Sequence, residues 1–186
     1  MTFVYIVRCR FTEPAKERAW NDWYSGPKIA QMLSKPYFLT CQRFRRSAGT
    51  GRDYLALWTM QSPEALRTPE YTAQWGFADW AGYITDWSRD LFDGGAAPET
   101  AFAVPLQGAL QVVSFDGMSE EDARHAQLRS AAAMWLPVID LDRHTPLIGM
   151  TVLGDAASAA TPPGANGAQA AVYRPICEVV TRGTRI

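Results

Sequence analysis

A lysine follows a tryptophan–tyrosine pair in the stretch NDWYSGPKIAQML, residues 21–33. Trp20, Trp23 and Tyr24 stand at i, i+3 and i+4, so their rings share one helical face. Ser25-Gly26-Pro27 interrupts that pattern before Ile29, Met32 and Leu33 resume it. Proline lacks an amide hydrogen and clashes in a helix interior, yet suits a first turn. The spacing therefore predicts one helix to about Tyr24 and a second, short one from Ser25 or Gly26 to Leu33. Lys28 then begins a new turn at a pocket mouth beside Trp23 and Tyr24. Its ammonium and the neighbouring backbone N–H groups would favour a carboxylate or an enolate. The plain alternative is a solvated lysine on a kinked helix.

Other residues could share that chemistry. Arg43 lies well inside the apolar stretch YFLTCQRFRR, where a guanidinium calls for a carboxylate from the protein or a ligand. Arg45 and Arg46 lie nearer a loop and read as solvated. Tyr5, Tyr54 and Trp58 fall on predicted central strands, and a buried tyrosine hydroxyl can relay a proton or donate to an oxyanion. A packed tyrosine with one hydrogen bond is the simpler reading for each. His125 and His144 are the two histidines. Asp140, Asp142 and His144 form D-x-D-x-H in a turn, a weak metal signal because turns are rich in Asp anyway. No metal site is expected.

These side chains need a scaffold. FVYIVRCRF, residues 3–11, alternates as a strand, and Thr12 reads as the cap of the helix that follows. Residues 37–46 and 53–60 read as a hairpin. Ser62-Pro63 and Thr68-Pro69 open helical pieces carrying Tyr71 and Trp75, with a further piece from about Phe77 to Tyr83, and residues 84–92 either continue that helix or form a strand, the strand being preferred. This is β-α-β-β-α-β, a ferredoxin-like order. A Gly/Ala/Pro linker spans 93–108. The order then returns in shorter form over 109–186: strand 109–116, helix 119–129 capped by Ser119, strands 133–141 and 146–154, a low-complexity stretch 155–169, and strand 171–180. The fold class is α+β, with tandem ferredoxin-like units. One such sheet leaves a face bare, and two can close into a barrel that removes the open edges.

Composition narrows the functions. The 186 residues are 47% apolar, enough for a core, and the formal net charge of -1 provides no field for nucleic acid or an anionic membrane. Three cysteines without CxxC spacing argue against a disulfide framework or structural zinc. No signal peptide or membrane span is read, so a cytoplasmic protein is expected. Seven tryptophans, six of them before residue 90, supply rings for a core or a ligand pocket.

The run from Trp20 to Trp75 resembles the EthD-like members of the dimeric α/β-barrel superfamily. The likeness is carried by NDWYSGPKIAQML, KPYFLTCQRFRR and DYLALWTMQSPEALRTPEY, with AVYRPI resembling a closing strand. The acidic pair usual after Trp-Tyr is missing, and Lys28 stands where a histidine is usual. The resemblance implies a dimeric α/β-barrel, a homodimer, and a cofactor-free isomerase, cyclase, lyase or monooxygenase acting on a small apolar or aromatic carbonyl compound. On that reading Trp23, Trp58 and Trp75, with Tyr54, shape the cavity. Tyr24 or Tyr5 moves the proton, and Lys28 and Arg43 hold negative charge. Some barrels of the superfamily carry haem, for which His125 or His144 would be the axial ligand. Loss of the family histidine also leaves a non-catalytic ligand-binding protein as an alternative.

Overall fold

The computed structural model describes residues 1–155, 157, 159–165 and 167–183. Parts of the expected low-complexity stretch (156, 158 and 166) and the end of the second unit (184–186) lie outside the described residues. Strand β1, Phe3–Phe11, leads through a 3-10 turn at Pro14–Lys16 into helix α1, Glu17–Trp23. A π-turn, Tyr24–Lys28, runs directly into α2, Ile29–Leu33. Strands β2, Phe38–Gly49, and β3, Tyr54–Met60, form a hairpin. A 3-10 turn at Pro63–Arg67, the short helix α3 at Pro69–Thr72 and a 3-10 turn at Ala78–Tyr83 lead to β4, Ile84–Asp93. Beyond these come β5, Ala109–Ser114; α4, Glu120–Gln127; β6, Met134–Leu141; β7, Leu147–Leu153; β8, Gln169–Pro175; and the two-residue β9, Val180–Thr181.

The first helix does not break where the sequence suggested. Pro27 sits inside a wider turn, and the Ile29 amide reaches the Tyr24 carbonyl five residues back. The π-turn absorbs the proline that an α-turn would exclude, and keeps the chain helical. The capping expectation at Thr12 is also corrected. The Glu13 side chain accepts from the Ala15 amide, while the Thr12 hydroxyl donates to the Tyr83 carbonyl. Ser62, Thr68 and Ser119 cap their turns as expected, each accepting a backbone amide with its hydroxyl.

The strands close into an antiparallel eight-stranded barrel. The order β3-β1-β4-β6-β7-β5-β8-β2 returns to β3 through the β2–β3 hairpin, and β9 adds to β2. Every pairing is antiparallel. The first-half strands lie in the order β4-β1-β3-β2, and the second-half strands in the corresponding order β8-β5-β7-β6. The halves meet at two seams, β2 with β8 and β4 with β6.

Alternation along the strands sorts the side chains between two cores. Val4, Ile6, Phe44, Leu55, Leu57 and Phe92 from the first half meet Leu110, Val112, Leu136, Ile148, Met150 and Tyr173 from the second inside the barrel. Phe102 and Val104, between β4 and β5, are also buried there. Each such side chain, fully buried, stabilises by roughly 1.5–3 kcal/mol, so the barrel interior is a packed core. The opposite face of β1, β2 and β3 carries Tyr5, Val7, Cys9, Cys41, Tyr54 and Trp58 against Trp20, Tyr24, Ile29, Met32 and Leu33 of the helices. No helix among the described residues is long and apolar enough to cross a membrane.

Candidate functional site

A cavity opens in the outer, helix-covered core of the first half. It is lined by Tyr5 and Val7 of β1, Tyr24 and Lys28 of the π-turn, Met32, Trp58 of β3, Tyr71, the segment 75–77, and Trp87 and Arg89 of β4. The space among these residues is about 370 Å³, including its open mouth. Among the described residues no acidic side chain lines it.

Lys28 reaches the cavity because the π-turn rotates it inward, where it is 6% exposed. Its Nζ donates to Gln31 Oε1 at 3.3 Å and to the Gln74 carbonyl oxygen at 3.0 Å. No ion pair holds it among the described residues. Burial, and then the nearby charge of Lys35, lower its pKa from 10.5 to about 8. Lys35 is also buried, and its Nζ donates to the Glu70 carbonyl and to Gln74 Oε1.

Opposite, the Tyr5 and Tyr71 hydroxyls share a hydrogen bond of 3.1 Å. Burial raises the Tyr5 pKa well above 10.0, and the coupling to Tyr71 adds to it, so Tyr5 stays protonated. Arg89 extends from β4 beside this pair. Its guanidinium lies 4.1 Å from the Trp75 ring centroid and pairs with Asp142 at 3.3 Å. Burial works against the Arg89 charge, but Tyr71, Tyr5 and Asp142 outweigh it and its pKa is raised. Trp75 and Trp87 stand at the mouth, 42% and 43% exposed, with centroids 6.3 Å apart. Gly76 between Trp75 and Phe77 has φ +92, a conformation that side-chain-bearing residues rarely adopt. Trp58 Nε1 is buried without a hydrogen-bond partner.

Of the sequence candidates, Tyr5, Tyr24, Lys28, Trp58 and Trp75 come together around the cavity. Arg43, Trp23 and Tyr54 do not line it. Arg43 is buried behind Tyr24, stacked 4.2 Å from that ring and 4.7 Å from Trp20. Its Nη1 donates to Ser25 Oγ at 3.0 Å, and rings rather than a carboxylate surround the charge. Trp23 packs outside, 6.2 Å from Trp80. Tyr54 donates to Glu17 Oε1 at 2.5 Å, a bond that ties β3 to α1. Tyr71, Trp87 and Arg89 were missed as site residues. The alternation Trp87, Arg89, Leu91 in ITDWSRDLF was the available signal, since it puts the arginine on the same face as a core leucine.

The D-x-D-x-H turn disperses. Asp140 pairs with Arg67 at 2.8 Å, Asp142 with Arg89, and His144 Nε2 lies 3.1 Å from an Arg52 nitrogen. No cluster able to hold a metal occurs among the described residues. His125 is exposed on α4, and neither histidine lines the cavity. A haem bound through either histidine would have to sit outside this cavity.

Comparison with solved structures agrees with the architecture. An anthrone oxidase-like protein superposes with a TM-score of 0.61 at 10% identity, covering 100% of this chain and 94% of the other. A proposed monooxygenase from Lactobacillus acidophilus NCFM gives 0.54 at 8% identity, covering 98% of both chains. A proposed chlorite dismutase gives 0.53 at 10% identity, covering 95% of both. No family model matches the chain, and no curated protein does. At these identities the shared property is the fold: a barrel matched over nearly the whole length of each chain.

Proposed function

We propose that this chain is an enzyme that needs no bound cofactor and acts on a small apolar or aromatic carbonyl compound held between the helices and the first-half sheet. The observation that carries this reading is Lys28, a buried amine without an acidic partner on the wall of a ring-lined cavity. Its lowered pKa suits it to take a proton near neutral pH. Arg89 and the Tyr71–Tyr5 pair provide donors for the oxygen that gains charge as the proton leaves. Trp58 Nε1 is a further donor that a ligand oxygen would satisfy. The ring walls of Trp58, Trp75, Trp87 and Phe77 favour a flat substrate. Isomerisation, cyclisation, elimination and cofactor-free oxygenation of a carbonyl compound can each begin with such a proton transfer. The anthrone oxidase-like and monooxygenase descriptions of two fold neighbours favour an aryl ketone among the substrates.

On this reading the chain is an EthD-like dimeric α/β-barrel protein. Its units at 1–92 and 109–186 are tandem ferredoxin-like repeats joined by 93–108, a reading supported by their corresponding strand orders. It would work as a cytoplasmic homodimer. The test is a panel of aryl ketones and quinones incubated with the protein, with consumption followed by mass spectrometry. Turnover of one class, lost in Lys28→Met and in Arg89→Gln, is the expected result. Turnover undiminished in both variants would place the chemistry elsewhere.

A further inference from the structure

The chain contains three lysines against fifteen arginines. Two of the three, Lys28 and Lys35, are buried, so arginine supplies nearly all its surface positive charge. Arginine would serve better if position 28 needed only a permanent cation, because a guanidinium does not give up its proton and an amine can. We propose that Lys28 captures the carbonyl carbon of its ligand as an imine, which makes the substrate class of this cavity aldehydes and unhindered ketones on a flat ring system. This rests on the carbonyl-pocket reading above.

The geometry favours a nucleophile at this position. Among the described residues, Lys28 Nζ touches only neutral oxygens, Gln31 Oε1 and the Gln74 carbonyl, and nothing acidic lines the cavity to fix it as an ammonium. With a pKa of about 8, about a tenth of the amine is uncharged near pH 7. In the reaction the Nζ lone pair forms the bond to the carbonyl carbon. The carbonyl oxygen takes one proton from the attacking nitrogen and a second from solvent at the open mouth, and leaves as water. The product is a protonated imine with no change of oxidation state. Its positive nitrogen accepts the electron pair when water at the open mouth takes a proton from the adjacent carbon, the step that isomerisation or cyclisation requires.

The test uses 2-hydroxy-1-naphthaldehyde with cyanoborohydride near neutral pH, read by intact mass and peptide mapping. Tryptophan quenching by the same probe reports binding separately. The expected result is an adduct on Lys28 formed at least about tenfold faster than on the exposed Lys16. It is lost in Lys28→Arg, which keeps the charge, while quenching persists. Should Lys28→Arg lose its native circular dichroism, 2-naphthol competition in the unaltered protein replaces it and must suppress labelling of Lys28 but not of Lys16. Quenching without an adduct on Lys28, labelling spread evenly over all amines, or labelling of Lys28 that 2-naphthol leaves untouched overturns the imine and leaves the pocket reading standing. Absence of both quenching and adduct overturns both.

Discussion

Lys28 Nζ donates to the Gln74 carbonyl oxygen at 3.0 Å, a bond that joins the π-turn of the first helix to the loop carrying Trp75 and Gly76. The amine that faces the cavity is thereby also a tether for the segment at its mouth. A ligand that takes up the Lys28 nitrogen competes with that tether, so binding and loop position are coupled at one atom.

Stability of a Lys28→Met variant should depend on pH in a defined direction. The folded pKa of Lys28 lies below its ordinary value, so below about pH 8 the folded protein carries a buried charge that costs stability. Between about 8 and 10.5 the folded state gives up the proton before the unfolded state does, and the cost disappears as pH rises. Lys28→Met is therefore more stable than the parent near neutrality, and the gap narrows toward pH 10.5. Urea midpoints of both proteins across that range measure it. A constant gap would contradict the lowered pKa.

The Tyr5–Tyr71 pair should behave as a unit. Tyr71→Phe leaves the buried Tyr5 hydroxyl without its partner, a loss of about 1–3 kcal/mol. The Tyr5→Phe, Tyr71→Phe double variant should lose less than the two single changes added together, because it leaves no orphaned hydroxyl of the pair. A double-mutant cycle by urea denaturation gives the coupling, and strict additivity would show the bond to be unimportant.

Trp75→Ala should weaken ligand binding without unfolding the protein. The side chain is less than half exposed, stacks on Arg89 and forms one wall of the mouth. Loss of the stacking, about 0.5–1 kcal/mol, together with lost wall area should reduce affinity for a naphthol-type ligand about tenfold. Fluorescence titration measures the affinity and thermal denaturation the fold.

A buried charge network fastens one end of the barrel. Asp116 accepts from Arg8 at 3.0 Å and from Arg52 at 2.8 Å, and the Thr145 hydroxyl donates to it at 2.7 Å. Burial alone would raise its pKa, but Arg8, the Thr145 bond and Arg52 outweigh that and hold it below 3.8. Asp116→Asn removes the carboxylate that Arg8 and Arg52 share, leaving Arg8 with Asp90 at 3.7 Å and Arg52 with Asp86 at 3.1 Å, and should cost about 1.5–3 kcal/mol. The carboxylate's contribution is complete above pH 3.8 and fades as pH falls through its lower folded value. The stability gap between parent and variant should therefore shrink in acid.

Much of this arrangement is written locally in the chain. The alternation FVYIVRCRF sets Tyr5 and Val7 on one side of β1 and Val4 and Ile6 on the other, and the two sides became the helix-facing core and the barrel interior. The Ser and Thr caps were legible because a hydroxyl must reach an amide two or three residues away. The proline at 27 was legible as a disturbance, but its resolution was not. A break and a π-turn begin from the same missing hydrogen bond, and packing of Tyr24 and Lys28 against the sheet selects the turn that keeps both buried.

The sequence by itself determined most of the strands, the two faces of β1 and the aromatic helix with Lys28 beside it, since these depend on periods of two and 3.6 residues, while a register shift between Phe38 and Thr40 turned Phe38 to the face of Cys41. Tertiary structure alone decided that Arg43 is shut behind Tyr24 and that Arg89 stands in the cavity in its place. Both arginines sit on strands among apolar neighbours. Only the packing of helix on sheet, and a turn from the other half of the chain that brings Asp142 to Arg89, separates the one facing rings from the one facing the cavity.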